Sequence, residues 1–226
     1  IDDARLYLNK LLDFKPNDYE AIKDLGNTYQ VRGDVVTAKN YYQKAISINS
    51  NYAPALTNLG SIELISDNKQ EALSLLIKAT ESDSQLTPAW VNLANGYFRL
   101  GKLQDAKNAC LKAIQLTPHF FNTHFLLANI LIKQNNIPEA EVSLRKVIEL
   151  NPNVCNAHFL LANTLIRQKK PQAAEPSLRK SIELQPDFAE AHNNLGTVLR
   201  DLGKLKEAEI TIRKAIEIKP NFAEAH

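Results

Sequence analysis

Four histidines at one spacing are the first residues in this sequence that could do chemistry. Each lies 34 residues from the next, and they are His124, His158, His192 and His226. Imidazole is a common metal ligand, but metal ligands must converge within a few ångströms. Equivalent positions of stacked helix pairs lie about 10–20 Å apart. The same column contains Ile22, Leu56 and Trp90, so we predict that these histidines pack between helices and bind no metal.

The cysteines and the motif content argue against catalysis. Cys110 and Cys155 are the only cysteines, too few for a disulfide scaffold or a cysteine-rich zinc site. We predict a buried Cys110, a partly exposed Cys155 and two free thiols, as is typical of a reducing, cytoplasmic compartment. The sequence contains no phosphate-binding glycine loop, HExxH, nucleophile elbow or CxxC. We therefore expect no enzyme active site in this chain and no cofactor.

Asparagine is the most informative residue type. The chain has 22 asparagines, although asparagine is a mediocre helix former. Two columns recur on predicted helices: Asn27, Asn95, Asn129 and Asn163 in one, and Asn58, Asn92 and Asn194 in the other, three residues earlier. A side-chain amide offers a donor and an acceptor, so such a ladder can bind the backbone of an extended peptide. The alternative is that the amides only solvate a surface or cap neighbouring turns.

An apolar patch lies beside the asparagines. It consists of Phe125 and Phe159, in the same column as Lys23, and of Ile132 and Ile166 on the same helix face, seven residues further on. An exposed apolar cluster of this kind usually marks a binding surface. The alternative is that the patch packs against a following repeat or a capping segment.

A period of 34 residues organises the whole chain. Six units align without a gap, at 15–48, 49–82, 83–116, 117–150, 151–184 and 185–218. Residues 1–14 read as the second helix of a partial unit, and residues 219–226 as the start of a further one. Apolar residues within a unit follow the i, i+3, i+4, i+7 spacing of helix faces. We therefore predict one all-α array over 1–226, an α-solenoid of helix–turn–helix hairpins.

Small residues and turn residues indicate how each hairpin closes. Two columns hold only glycine or alanine: Gly26, Gly60, Ala94, Ala128, Ala162 and Gly196, and Ala38, Ala72, Ala106, Ala140, Ala174 and Ala208. Such columns let two helix axes approach closely. The turn column is Gly33, Asp67, Gly101, Asn135, Lys169 and Gly203, mostly residues that tolerate a left-handed backbone. Pro176 falls inside a predicted second helix, where we expect a late start or a kink.

The charge balance narrows the class of partner. Lys and Arg total 27 and Asp and Glu 25, so no net basic field attracts nucleic acid or an anionic membrane. No apolar stretch approaches the length of a membrane span. Basic residues do recur along the second helices. Glu141, Glu175 and Glu209 each precede an arginine by four residues, however, so we predict ordinary ion pairs on a solvated face.

Taken together, these columns make the sequence resemble the tetratricopeptide repeat family along essentially its whole length. In unit three the signature reads Trp90, Leu93-Ala94, Tyr97, Ala106, Cys110, Ala113 and Pro118. Glu63 departs from it, since it replaces the aromatic residue of unit two. The resemblance implies a right-handed superhelix whose first helices line a concave wall. It also implies that the asparagine columns and the apolar patch face this concave groove.

The functional prediction is a non-catalytic protein–protein interaction scaffold, part of a larger protein, that binds extended peptide or protein segments in the groove. The candidate site residues are Lys23, Asn27, Asn58, Asn92, Asn95, Phe125, Asn129, Ile132, Phe159, Asn163, Ile166 and Asn194. The amide ladder is similar to that of O-GlcNAc transferases, which leaves a substrate-recruiting region of a glycosyltransferase-like enzyme as an alternative.

Two further alternatives remain open. A chaperone adaptor would grip an acidic C-terminal tail with a carboxylate clamp, whose first three members match Lys23, Asn27 and Asn58. Pro88 and Asn92 stand where the clamp needs cations, so it would be degenerate. End-to-end self-association is the third class, because solenoids need polar end caps and this array begins and ends within a unit.

Overall fold

The computed structural model describes residues 2–221, and helices are its only regular secondary structure in that range. The helices are α1 (Asp2–Phe14), α2 (Tyr19–Val31), α3 (Val35–Ile48), α4 (Ala53–Ile65), α5 (Lys69–Ser82), α6 (Thr87–Arg99), α7 (Leu103–Leu116), α8 (Phe121–Lys133), α9 (Ile137–Leu150), α10 (Cys155–Arg167), α11 (Pro171–Leu184), α12 (Ala189–Asp201) and α13 (Leu205–Ile218). From α2 onward, a 13-residue first helix alternates with a 14-residue second helix. The predicted all-α solenoid of helical hairpins is confirmed.

The chain divides into two compact units, 1–118 and 119–226. In the first unit, α2/α3, α4/α5 and α6/α7 form hairpins that stack in chain order on α1. In the second unit, α8/α9, α10/α11 and α12/α13 stack in the same way. Each unit has a core of small and aliphatic side chains from both helices of each hairpin, because a lone hairpin cannot bury its apolar face.

The small-residue column brings the two helices of a hairpin together. A Cβ built at Gly26 would lie 2.8 Å from Cε1 of Tyr42, and one built at Gly60 would lie 2.7 Å from Cγ of Leu76. Both distances are below any normal carbon–carbon contact. The column holds alanine in the next three hairpins, where Ala94 is in register with Cys110, and Ala128 and Ala162 are in register with Leu144 and Leu178. The restriction at Gly26 and Gly60 therefore belongs to the spacing of those two hairpins.

The turns between first and second helices share one geometry. All six residues of the turn column have a positive φ: Gly33 81°, Asp67 64°, Gly101 73°, Asn135 60°, Lys169 59° and Gly203 77°. The next residue donates its N–H to a carbonyl five residues back, as from Asn136 to Leu131 at 2.8 Å. This bond satisfies a carbonyl at the end of the first helix. The predicted left-handed turn is therefore present even where the residue is Asp67 or Lys169.

Pro176 does not delay its helix. The second helix α11 begins at Pro171, in register with all the other second helices, and continues through Pro176 to Leu184. The expected late start is wrong, because Pro171 already occupies the first helical turn, where a proline is favourable. A proline at the sixth position then removes only one backbone donor from an otherwise continuous helix.

Candidate functional site

The twelve predicted site residues all lie on first helices, and all are half-buried. The first unit carries Lys23, Asn27, Asn58, Asn92 and Asn95, and the second carries Phe125, Asn129, Ile132, Phe159, Asn163, Ile166 and Asn194. We call these two sets the ladder faces of their units. Half-burial means that each side chain packs on its neighbours but keeps part of its surface accessible.

Asparagines from the two columns bond each other across successive first helices. Nδ2 of Asn58 on α4 donates to Oδ1 of Asn27 on α2 at 2.8 Å. Nδ2 of Asn194 on α12 donates to Oδ1 of Asn163 on α10, also at 2.8 Å. The partners are 31 residues apart, because the second column lies three residues before the first in a 34-residue unit. The amides therefore form a ladder that is ordered by its own hydrogen bonds.

The pair in the second unit keeps unused hydrogen-bonding groups. Within residues 2–221, no protein group bonds the amide nitrogen of Asn163 or the amide oxygen of Asn194. Asn92 and Asn95 in the first unit likewise make no side-chain hydrogen bond to the part of the chain that the structure describes. These amides present donors and acceptors that solvent or a ligand can take.

Asn129 shows what happens where the second column lacks its asparagine. Leu160 occupies the position from which an amide would reach Asn129. Nδ2 of Asn129 instead donates to the backbone carbonyl of Phe125, one turn back on the same helix, at 3.0 Å. The ladder is thus interrupted at this step, and apolar side chains replace it.

Asp24 is a ladder residue that sequence reasoning missed. Its Oδ1 accepts from Nζ of Lys23 at 2.5 Å and from Nδ2 of Asn27 at 3.2 Å. The charge of Lys23 is therefore already paired within the chain, and two of the predicted site residues, Lys23 and Asn27, converge on an internal carboxylate. The repeat pattern does indicate this role, because Asp24 occupies the same column as Asn58 and Asn92. An external carboxylate would have to displace Asp24 from this clamp.

A buried tyrosine contacts the Asn27–Asn58 amide pair. The hydroxyl of the buried Tyr42 lies 2.8 Å from Oδ1 of Asn27 and 2.6 Å from Oε1 of Gln30. Burial raises the pKa of Tyr42 to about 12. The phenol therefore stays protonated at any ordinary pH and remains a donor that orients the amides above it.

The apolar patch of the second unit is half-buried rather than exposed. Phe125, Phe159, Ile132 and Ile166 pack against the core formed by α8 to α13. The ring centroids of Phe159 and Phe188 are 4.6 Å apart, and Phe188 lies at the start of the following first helix. Part of the patch therefore does pack against the following repeat, as the alternative interpretation expected, and the remainder of each side chain is still accessible.

Side chains of the histidine column form hydrogen bonds with the backbone at the junctions between repeats. Nε2 of His158 lies 2.8 Å from the carbonyl of Pro152, and Nε2 of His192 lies 2.9 Å from the carbonyl of Pro186. Trp90 in the same column donates to the carbonyl of Ser84 at 3.0 Å, over the same spacing of six residues. The column thus packs with a polar tip, as predicted. His226 lies outside the described residues.

The two cysteines and the arginines of the second helices have the environments that the sequence predicts. Cys110 is buried, Cys155 is half-buried, and neither forms a disulfide, as predicted. The second-helix arginines form the predicted i, i+4 ion pairs: Arg145 with Glu141 at 2.8 Å, Arg179 with Glu175 at 2.8 Å and Arg213 with Glu209 at 2.6 Å. No helix within 2–221 has the length and apolar character that a membrane span requires.

Comparison with known proteins agrees with this geometry. Tetratricopeptide repeat models match residues 87–120, 121–154 and 159–221. No curated protein sequence matches the chain at a significant level.

Solved structures share the arrangement of helices. YrrB is 25% identical, with a TM-score of 0.74 over 81% of this chain and 95% of that one. PilF of Pseudomonas aeruginosa is 19% identical, with a TM-score of 0.80 over 92% and 94% of the two chains. MamA is 19% identical, with a TM-score of 0.69 over 76% and 94%. At 19% identity the last two indicate a shared fold alone.

Proposed function

The chain belongs to the tetratricopeptide repeat family, whose fold serves as a protein-interaction scaffold, and we propose that it binds extended segments of a partner protein along its ladder faces. The proposal includes no catalytic step. The partner is a peptide or protein segment. The asparagine amides form hydrogen bonds with its backbone, and the apolar patch beside them contacts its apolar side chains.

The observation that carries this proposal is the Asn163–Asn194 pair. Its internal hydrogen bond of 2.8 Å fixes both side chains, while the Asn163 amide nitrogen and the Asn194 amide oxygen stay available. A donor and an acceptor side by side match the C=O and N–H groups of an extended peptide. Because both amides are already ordered, binding costs less side-chain entropy than it would for free amides.

The apolar patch supplies the second part of the proposal. Phe125 and Phe159 flank the interruption of the ladder at Leu160, and their packing on the core holds the rings in place. A half-buried, well-ordered aromatic ring is a typical anchor in protein interfaces. A bound segment would thus meet an apolar anchor at α8 and α10 and backbone-binding amides at α10 and α12.

One similar protein bears on the same question. YrrB is described in its structure report as a repeat protein with an unusual peptide-binding site. The similarity adds weight to peptide binding by this chain, but the residues that would do it here are argued from this chain alone. The Lys23–Asp24 contact counts against a carboxylate clamp, so an acidic C-terminal tail is not the ligand that we propose.

Peptide-array binding of the full chain tests the proposal. We expect Asn163→Ala/Asn194→Ala to weaken binding of selected peptides about tenfold, as expected for two lost hydrogen bonds to the backbone. Asn40→Ala/Gln172→Ala removes two exposed amides from second helices and is the matched control. Equal binding by both variants, with circular dichroism showing that both are folded, would contradict the ladder as the binding element.

A further inference from the structure

A second surface of the first unit lies on the opposite side of the hairpins from the ladder columns. Two adjoining cavities lie between the second helices α5 and α7, with the first helix α6 as their floor. One has a volume of about 640 Å³, and the other, more apolar one has a volume of about 500 Å³. Ile77, Leu93, Tyr97 and Trp90 line it. We call this cavity the α5–α7 groove.

The equivalent junction three repeats later is bridged by ion pairs, and the cavity there is smaller, about 340 Å³. Between α11 and α13, Nζ of Lys204 contacts Oε2 of Glu175 at 2.8 Å. One turn further on, Nη2 of Arg179 contacts Oε2 of Glu207 at 2.7 Å. These two ion pairs join one second helix to the next across the floor helix.

In the α5–α7 groove, both charges of one wall are missing. Leu73 and Ile77 of α5 occupy the positions of Glu175 and Arg179, whereas Lys102 and Asp105 at the start of α7 keep the charges of Lys204 and Glu207. Across the whole described part of the chain, the side chains of Lys102 and Asp105 make no ion pair and no hydrogen bond. The groove is therefore apolar on its floor, and Lys102 and Asp105 lack the cross-groove partners that their counterparts have. Lys78, Glu81 and Lys112 also lie on its rim.

We propose that the α5–α7 groove binds an amphipathic helix of a partner protein that carries a carboxylate for Lys102 and a basic side chain for Asp105. The bridged junction indicates the required chemistry, because Glu175 and Arg179 supply this pair of charges from positions four residues apart on one helix. A helix can present the same pair beside an apolar stripe that covers Trp90, Tyr97 and Ile77. The space between two helices is suited to a third one, which packs at 8–10 Å from its neighbours.

This inference is independent of peptide binding on the ladder face. The floor residues Leu93 and Tyr97 belong to the hairpin side of α6, and no ladder residue lines the groove. The occupant also differs, since two charges four residues apart lie about 13 Å apart along an extended segment but about 6 Å apart along a helix.

Three synthetic helical peptides of about 18 residues, with the same leucine stripe, test the inference on the full chain. One peptide carries Glu and Arg four residues apart, the second two Glu and the third two Arg. Trp90 is the only tryptophan, so its emission reports occupation of the groove, and calorimetry gives the affinity. We expect the Glu/Arg peptide to change the emission and to bind about tenfold more tightly than the other two.

Two variants locate the peptide. Ile77→Arg recreates the Arg179 arrangement opposite Asp105, so it should abolish binding without lowering the melting temperature. Asp105→Lys places a cation at both of these rim positions, so the preference should move to the Glu/Glu peptide. The ladder variant Asn163→Ala/Asn194→Ala is the control and should bind as the parent does.

Equal affinities for the three peptides would overturn the proposal, and so would binding that is lost in the ladder variant but kept in Ile77→Arg. Absence of peptide binding together with concentration-dependent self-association that Ile77→Arg abolishes would also overturn it. That result would assign the groove to a second copy of this chain.

Discussion

At the scale of single residues, Glu63 shows how a departure from the repeat pattern is stabilised. This glutamate occupies the position at which the neighbouring repeats carry Tyr29 and Tyr97, and its side chain is fully buried. Oε1 contacts Nζ of Lys39 at 2.5 Å, and Oε2 accepts from Nδ2 of Asn68 at 2.7 Å. A buried charge of this kind is tolerated only while it keeps its partners.

The ionisation of this pair makes stability depend on pH. Burial raises the pKa of the Glu63 carboxyl, but the hydrogen bonds from Lys39 and Asn68 outweigh burial, and the net pKa lies below the ordinary value of 4.5. The hydrogen bond to Glu63 raises the pKa of Lys39 above 10.5. Stability from Glu63 is therefore present above pH 4.5 and lost as the pH falls through its lowered pKa, and stability from Lys39 is lost as the pH rises through its raised pKa.

We expect Glu63→Gln to lower the free energy of unfolding at pH 7 by about 2 kcal/mol, less than for a fully buried pair because Lys39 is one-third exposed. The loss should shrink as the pH falls through the lowered pKa of Glu63, because the parent loses the same charge there. Urea unfolding from pH 2 to 8 measures it. Glu183→Gln, in the exposed pair with Lys180, is the control and should change stability little. A constant difference at every pH would exclude the ion pair as the cause.

Lys169 offers a second test at this scale. It has a φ of 59°, a left-handed conformation that costs a residue with a side chain about 1 kcal/mol and glycine almost nothing. We expect Lys169→Gly to raise the free energy of unfolding by up to about 1 kcal/mol, measured by thermal and urea unfolding. Lys206→Gly within α13 should instead be destabilising by a similar amount. A destabilised Lys169→Gly would show that the lysine side chain stabilises the turn in another way.

At the scale of helices, the volume at the hairpin crossing sets the distance between the two axes. Gly60 leaves just enough space for Leu76, whereas the third hairpin combines Ala94 with Cys110. We expect Gly60→Ala to cost about 2 kcal/mol of unfolding free energy through overpacking. Gly60→Ala/Leu76→Cys copies the third hairpin and should cost less than the sum of its single substitutions. Additive costs in this double-mutant cycle would show that the crossing is not the site of the strain.

The helical elements were largely predictable from the sequence, and their side-chain contacts were not. The 34-residue period, the small columns and the turn column predict the hairpins, because backbone geometry repeats whenever these residue types repeat. The late start expected at Pro176 was wrong, because this proline removes one backbone hydrogen bond while the neighbouring turns of α11 keep theirs. Turn geometry at Lys169 was predictable only from its column, because lysine itself disfavours a positive φ.

At the scale of the whole molecule, the candidate site depends on contacts between neighbouring repeats, and these are hard to read from one unit. The Asn27–Asn58 and Asn163–Asn194 pairs join residues 31 apart, so they depend on how far one hairpin is offset from the next. The burial of Phe159 likewise depends on Phe188 of the next repeat. Asp24 is the exception, because its contacts with Lys23 and Asn27 lie within α2 and its column with Asn58 and Asn92 is visible in the sequence.

The central claim is that the ladder reads the backbone of an extended segment, and N-methylation of a bound peptide tests it most directly. A peptide selected on the parent chain would be compared by calorimetry with versions that carry single N-methyl groups along its backbone. We expect at least one N-methyl group to weaken binding about tenfold to the parent, but to have little further effect on Asn163→Ala/Asn194→Ala. Affinity that no N-methyl group changes would contradict backbone recognition by the ladder.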